Sequence, residues 1–235
     1  MNEKAKRIPV ARVTFQAHLA EEAVYPPRPV STSQAWLWRG FDIAVALVVL
    51  VTILPFLVLM TLVLFVSDPG PVFYGHRRIG YRGRTFNCLK FRTMKRNGDA
   101  VLRAHLQANP EARREWQETH KLRSDPRVTR LGAVLRKLSI DELPQLINVL
   151  AGDMSMVGPR PIVDAEVPRY GAHFEHYCRV RPGLTGLWQI SGRNDTTYQQ
   201  RVALDVTYIA RKSLMLDTWL LWKTVPAVVL ARGSY

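Results

Sequence analysis

Cysteine is nearly absent from this 235-residue sequence: Cys88 and Cys178 stand far apart, outside any C-x-x-C spacing. That excludes a disulfide framework and a thiolate zinc site, and it fits a reducing compartment. Acidic residues are scarce as well, with 19 Asp and Glu against 33 Lys and Arg and a formal net charge of +14. An excess of this size calls for an anionic partner: nucleic acid, lipid headgroups or a phosphorylated substrate. A cleavable signal peptide is not expected. The first 40 residues are polar and hold Pro26, Pro27 and Pro29, and the first apolar run comes too late and runs too long. Residues 1–37 also lack apolar surface to bury, so a disordered basic tail is expected there. Lys4, Lys6, Arg7, Arg12 and Arg28 make it a candidate contact for anionic membrane lipid, with a merely solvated tail as the alternative.

Charge is missing altogether from Ile43 to Val66, a run of 24 residues. That exceeds the roughly 18 residues that mark a membrane helix, and core helices rarely stay uncharged on every face for so long. Pro55 sits in its middle, lacks an amide proton and clashes with the preceding turn, so a kink or break is expected there. Each half then reaches roughly 17 Å, short of a ~30 Å hydrocarbon core. Both flanks are basic. Six basic residues face three acidic ones before Phe41, and 27 face 15 from Ser67 onward. Lys and Arg mark the cytoplasmic side, so both flanks ask for the same side. A re-entrant helix-break-helix over residues 38–67, turning at Pro55, answers this better than a kinked single span. Asp42 suits the positive end of the first half-helix as its cap.

Asp68-Pro69-Gly70-Pro71 is turn sequence. Val72 to Lys95 then reads as two strands joined across Tyr81-Arg82-Gly83, a small β-hairpin. Lys90 and Arg92, two apart, share a strand face and form either a phosphate grip or a solvated edge. Asp99 to Leu122 reads as a polar helical pair broken at Pro110. Leu131, Val134, Leu135 and Leu138 follow helical spacing, as do Leu143, Leu146, Ile147 and Leu150. Two such helices around a short turn resemble a helix-turn-helix and raise a membrane-tethered DNA-binding regulator as an alternative. Its second helix would begin with Asp141, Glu142 and Leu143, a poor surface for DNA, so no nucleic acid is expected. A non-catalytic assembly scaffold is the remaining alternative.

Asp141 and Glu142 are adjacent carboxylates at an apparent helix start. Ser139-x-x-Glu142 also matches a capping box, in which Glu142 only binds back to the Ser139 amide. Downstream, Gly152 to Pro161 sets Arg160 between Pro159 and Pro161, where a fixed guanidinium fork matches phosphate oxygens. A second glycine-punctuated loop, Arg181 to Asn194, carries Trp188, read as core, and Arg193, a candidate nucleotide contact. Thr196 to Leu214 reads as a helix. Leu216 to Leu230, with Trp219 and Trp222, reads as a core helix or one lying in the membrane interface.

K-F-R-T-M around Lys90, D-P-R-V-T-R-L-G, L-S-I-D-E-L-P-Q-L-I-N-V-L, M-S-M-V-G-P-R-P, R-P-G-L-T-G-L-W-Q-I-S-G-R-N and the terminal G-S-Y occur in one order. With the apolar run, this set resembles the bacterial sugar transferase family, small monotopic phosphoglycosyl transferases that begin exopolysaccharide synthesis. The likeness covers residues 38–235. It implies an α/β, mostly helical fold, with the re-entrant membrane helix followed by a catalytic domain over residues 68–235 and interfacial amphipathic helices. It also implies transfer of a sugar-1-phosphate from a UDP-sugar, UDP-galactose by the closest likeness, to undecaprenyl phosphate. UMP leaves, and the site is the cytoplasmic face of a bacterial inner membrane. By the same resemblance Asp141 is the nucleophile and binds Mg²⁺, Glu142 assists, and Lys90, Arg160 and Arg193 contact the substrate. A homo-oligomer is compatible with it. Family members often carry Ser before the membrane proline where this chain has Leu54.

Overall fold

The apolar run forms a single helix, α1 (Thr32–Ser67), of 36 residues. The computed structural model describes residues 32–119, 122, 124–191 and 196–229; most of the expected tail, Arg193 and the terminal G-S-Y lie outside them. No break in the helix occurs at Pro55, which α1 carries in its interior. Packing on both sides of the proline explains the continuity. Ala46 is fully buried, and Val45, Val49, Leu50 and Ile53 pack on the main core before it. After it, Leu57, Met60 and Leu64 pack around Phe91 and Leu135. Asp42 is no cap either. It lies inside the helix, buried, and its Oδ1 accepts hydrogen bonds from Ser155 Oγ and the Met156 amide, both at 2.8 Å. The opposite face of α1 leaves Leu47, Val48, Val51, Leu54, Val58, Leu59, Leu62 and Phe65 exposed.

Strands β1 (Phe73–Ile79) and β2 (Thr85–Phe91) form the expected antiparallel hairpin, with Ile79 opposite Thr85 and Tyr74 opposite Lys90. Its tip is a 3₁₀ turn over Tyr81–Gly83, where Arg82 takes a left-handed φ of 58°. The polar helical pair follows as α2 (Gly98–Ala108) and α3 (Pro110–Thr119). Helix α4 (Arg130–Lys137) starts at Thr129, whose Oγ1 accepts from the Gly132 amide at 2.9 Å. Gly132 is obligatory here: a Cβ would lie 2.1 Å from the Thr93 carbonyl oxygen.

A 3₁₀ turn over Ile140–Glu142 leads into α5 (Gln145–Ala151). Gln145, Leu146, Asn148 and Val149 of α5 are all buried, so this helix is a core element and not a recognition helix offered to DNA. Strand β3 (Ser155–Val157) pairs in parallel with β4 (Gly183–Thr185). Between them lie the short helices α6 (Val167–Tyr170) and α7 (Phe174–Cys178). Helix α8 (Leu187–Ile190) precedes α9 (Tyr198–Arg211), which begins with a Thr197–Gln200 capping box. Helix α10 (Leu214–Val229) ends the described chain. It buries Asp217 and Leu220 and exposes Met215, Trp219, Trp222 and Val225. One side of α10 is therefore core, and the other is an open apolar face.

The main core gathers Ala46, Leu146, Val149, Met154, Met156, Trp188, Tyr208 and Leu220. Residues from both ends of the chain thus meet around α5 and β3, the two elements that flank the candidate site.

Candidate active site

Ser139 takes a left-handed φ of 57° and makes no side-chain capping bond, so the capping box does not form. The Glu142 carboxylate turns to Lys90 instead, accepting a hydrogen bond from its ammonium at 2.6 Å. A charge-assisted bond of this kind outcompetes a neutral amide donor. Lys90 Nζ also lies 3.8 Å from Asp141 Oδ2, so one cation serves both members of the pair. The three meet because β2 and α5 are tied together by Asn148. Its Oδ1 accepts from the Leu89 amide and its Nδ2 donates to the Asn87 carbonyl, both at 2.9 Å. Asn148 is buried, and it holds the strand register immediately before Lys90.

Lys90, Glu142 and Arg160 line one cleft, together with Arg78, Cys88, Gln145 and Gln189. Arg78 was not singled out by the sequence. Its signal was nevertheless present: Arg78 pairs with Phe86, His76 with Cys88 and Tyr74 with Lys90, so Arg78 and Lys90 share one hairpin face. Arg78 is steadied by the Pro161 carbonyl at 3.2 Å and by Glu166 at 3.6 Å. Arg92, in contrast, is not part of the cleft grip. It lies beyond the end of β2 and pairs with Asp68, its Nη2 3.3 Å from Asp68 Oδ2. Trp188 is core, as read, yet its ring also carries the Arg160 guanidinium at 5.8 Å and that of Arg201 at 4.8 Å.

The two carboxylates are driven apart electrostatically. Burial alone would raise Glu142, but Lys90, Arg160 and Arg78 outweigh it and hold the group down at about 2. Asp141 is raised, first by burial and then by the charge of Glu142, with Lys90 and Arg136 pulling back. One member is thus a fixed anion paired to Lys90, and the other is a more basic carboxylate beside it. A raised carboxylate is the better nucleophile once ionised, because reactivity follows basicity. Cys88 offers no rival: burial pushes its thiol up and keeps it protonated. Among the described residues no three His, Cys, Asp or Glu side chains gather as a metal cluster. A carboxylate pair beside a cationic cleft suits a Mg²⁺ ion held largely by ligand phosphates, since that ion commonly takes only one or two protein carboxylates.

The arrangement can bind a phosphorylated ligand through Arg78, Lys90 and Arg160 and present a carboxylate oxygen to it. Comparison with known proteins agrees. The profile of the bacterial sugar transferase family matches residues 33–231. The exopolysaccharide production protein ExoY of Sinorhizobium fredii is 57% identical over 198 residues, 84% of this chain and 87% of that protein. The undecaprenyl-phosphate galactose phosphotransferase of Salmonella typhimurium is 45% identical over 203 residues, 86% of this chain and 42% of that longer protein. The UDP-glucose:undecaprenyl-phosphate glucose-1-phosphate transferase of Caulobacter vibrioides is 38% identical over 205 residues, 84% of this chain and 71% of that protein. With a matched region that takes in almost all of the described residues and the whole of the cleft, the chain belongs to the bacterial sugar transferase family.

Proposed function

We propose that this protein transfers a sugar-1-phosphate from a UDP-sugar to undecaprenyl phosphate as the first membrane step of exopolysaccharide synthesis. The observation that carries the proposal is the single ammonium, Lys90, shared by Glu142 and the buried Asp141 behind it, at a cleft that Lys90 and Glu142 line with Arg78 and Arg160. An Asp141 carboxylate oxygen attacks the sugar-bearing phosphorus. A phosphorus–oxygen bond forms to Asp141, and the bond to the bridging oxygen breaks, its electron pair leaving with UMP. An oxygen of undecaprenyl phosphate then attacks the same phosphorus and frees Asp141. Two easier displacements replace one difficult transfer. Lys90, Arg78 and Arg160 offset the diphosphate charge and hold it in line. Glu142, kept anionic, anchors Lys90. Asp141, with Glu142 beside it, would hold Mg²⁺ against the diphosphate, and the ion when bound adds Lewis-acid stabilisation of the leaving phosphate.

The galactose named for the Salmonella relative makes UDP-galactose the first donor to test. Purified full-length protein with undecaprenyl phosphate is expected to release UMP from UDP-galactose faster than from UDP-glucose. UMP release from UDP-glucose alone would reassign the sugar, and release from no UDP-sugar in a panel would end the transferase proposal.

For the membrane, the proposal is that α1 does not cross the bilayer: both of its ends stay on the cytoplasmic side, and its exposed apolar face is turned to lipid. Support comes from its two ends, which are tied to the same domain. Near the start, Arg39 donates to the Val149 and Leu150 carbonyls at 2.6 and 2.8 Å. At the far end Leu64 is buried beside Phe91 and Leu135. A span would place those contacts on opposite sides of the bilayer. The open face of α10, with Trp219 and Trp222, lies in the same interface. In intact cells, an impermeant thiol reagent is expected to leave cysteines placed at Trp36 and at Val66 unlabelled; labelling at one of them would contradict this one-sided placement.

A further inference from the structure

Two buried side-chain amides stand on α5, one turn apart, and the fold uses only one of them. Asn148 spends its amide on β2, accepting from the Leu89 amide and donating to the Asn87 carbonyl. Gln145 is buried as deeply, at 3% exposure, yet among the described residues its side chain has no hydrogen-bond partner. A polar group buried without a partner is costly, and native chains rarely keep one. Gln145 lines the cleft beside Lys90, Glu142 and Arg160, so its amide meets whatever enters there.

Its place in the chain says which part of a ligand it meets. Gln145 follows Asp141 by four residues. The backbone between them stays helical, through the 3₁₀ turn over Ile140–Glu142 and then Leu143 and Pro144 in the right-handed helical region. Residues four apart on such a backbone share a face, roughly 5–6 Å apart. A group so near the attacking carboxylate meets what is bonded to the phosphorus under attack. Arg78, Lys90 and Arg160 already supply charge for the phosphates. A neutral amide both donates and accepts, which matches a hydroxyl; a phosphate oxygen would use only its donor half. The hydroxyl-bearing group next to that phosphorus is the sugar.

We propose that Gln145 is a sugar-binding residue of this cleft, whose side-chain amide hydrogen-bonds a hydroxyl of the donor's sugar. This rests on the transferase reading with Asp141 as the attacking group. Full-length Gln145→Met protein is compared with wild type, because methionine nearly matches the glutamine in volume and lacks the amide. Its kcat/KM for UDP-galactose is expected to fall about ten- to a hundredfold, the scale of a hydroxyl left unpaired in a closed site. Binding of UDP, which has no sugar to read, is expected to hold. The midpoint of thermal unfolding is expected to stay level or rise, since an unpartnered buried amide has been removed; a structural amide would lower it. On wild type, UDP-galactose analogues each lacking one hydroxyl of the sugar give a second reading. One of them is expected to lose the same factor on wild type and to lose nothing further on Gln145→Met. A folded Gln145→Met protein with unchanged kcat/KM would overturn the proposal and leave the transferase intact, as would UDP binding weakened as much as that of UDP-galactose. Wild type indifferent to every hydroxyl deletion would overturn it even if the variant does not fold. Should wild type turn over no UDP-sugar, binding of UDP-galactose against UDP still decides Gln145, and only the underlying reaction is lost.

Discussion

Asp141→Asn is expected to lower turnover by at least ~10³-fold, the scale on which loss of an attacking group acts, while the protein stays folded. The amide nearly matches the carboxylate in shape but cannot attack phosphorus. Stability is expected to survive because burial and the Glu142 charge already disfavour the Asp141 anion. Removing a charge that the fold does not favour costs little. Wild type incubated with a donor labelled in the sugar, without acceptor, is expected to carry the label through denaturation and to release one equivalent of UMP; Asp141→Asn is expected to do neither. A fully active Asp141→Asn protein, with no adduct on wild type, would remove Asp141 from the role of nucleophile.

Lys90→Met is the second large effect, and it reads on stability as well as rate. Methionine keeps the length of the stem and removes the ammonium. Glu142, 28% exposed at its side chain, then loses its bond of 2.6 Å, and Asp141 loses its nearest cation. Removing one partner of a buried pair costs about 3–5 kcal/mol; the partial exposure here reduces that to about 1–3 kcal/mol. Turnover is expected to fall ~10²-fold or more, since a cation at the developing phosphate charge is lost. The pH dependence gives a sharper test. Glu142 in the folded protein sits at about 2, below the roughly 4.3 of an unfolded chain. Its stabilising contribution is therefore complete above pH ~4.3 and is lost as the pH falls toward 2. Chemical denaturation from pH 6 to pH 3 is expected to show wild type losing more stability than Lys90→Met over that interval. Equal acid sensitivity of the two proteins would mean that Lys90 does not set the Glu142 charge.

Much of the site was legible because its signals are local. Pro159 and Pro161 constrain Arg160 whatever surrounds them, and the hairpin follows from β-prone residues around Tyr81-Arg82-Gly83. Arg78 left a fainter mark: one arginine in a basic hairpin looks like Arg77, Arg82 or Arg84 until the strand register sets it on the face of Lys90. Nor could local rules choose between a capping box and an ion pair for Glu142. Both use the Glu142 carboxylate, and the choice lies with Lys90, 52 positions away in the chain.

By itself the sequence determined a basic chain with an uncharged apolar helix, a short hairpin, a run of amphipathic helices and an acidic pair followed by a clamped arginine. Periodicity, turn residues and charge act over a few neighbours, so they can be read in one dimension. Tertiary structure alone decided the rest. Ser139 turned left-handed and released Glu142 to Lys90. Asp42 went inward to Ser155 and the Met156 amide, where it caps nothing of its own helix. Helix α1 stayed whole through Pro55 because the domain packs on both sides of the proline. In each case a long-range contact outbid a local preference, and contacts between distant positions are formed only when the chain is folded.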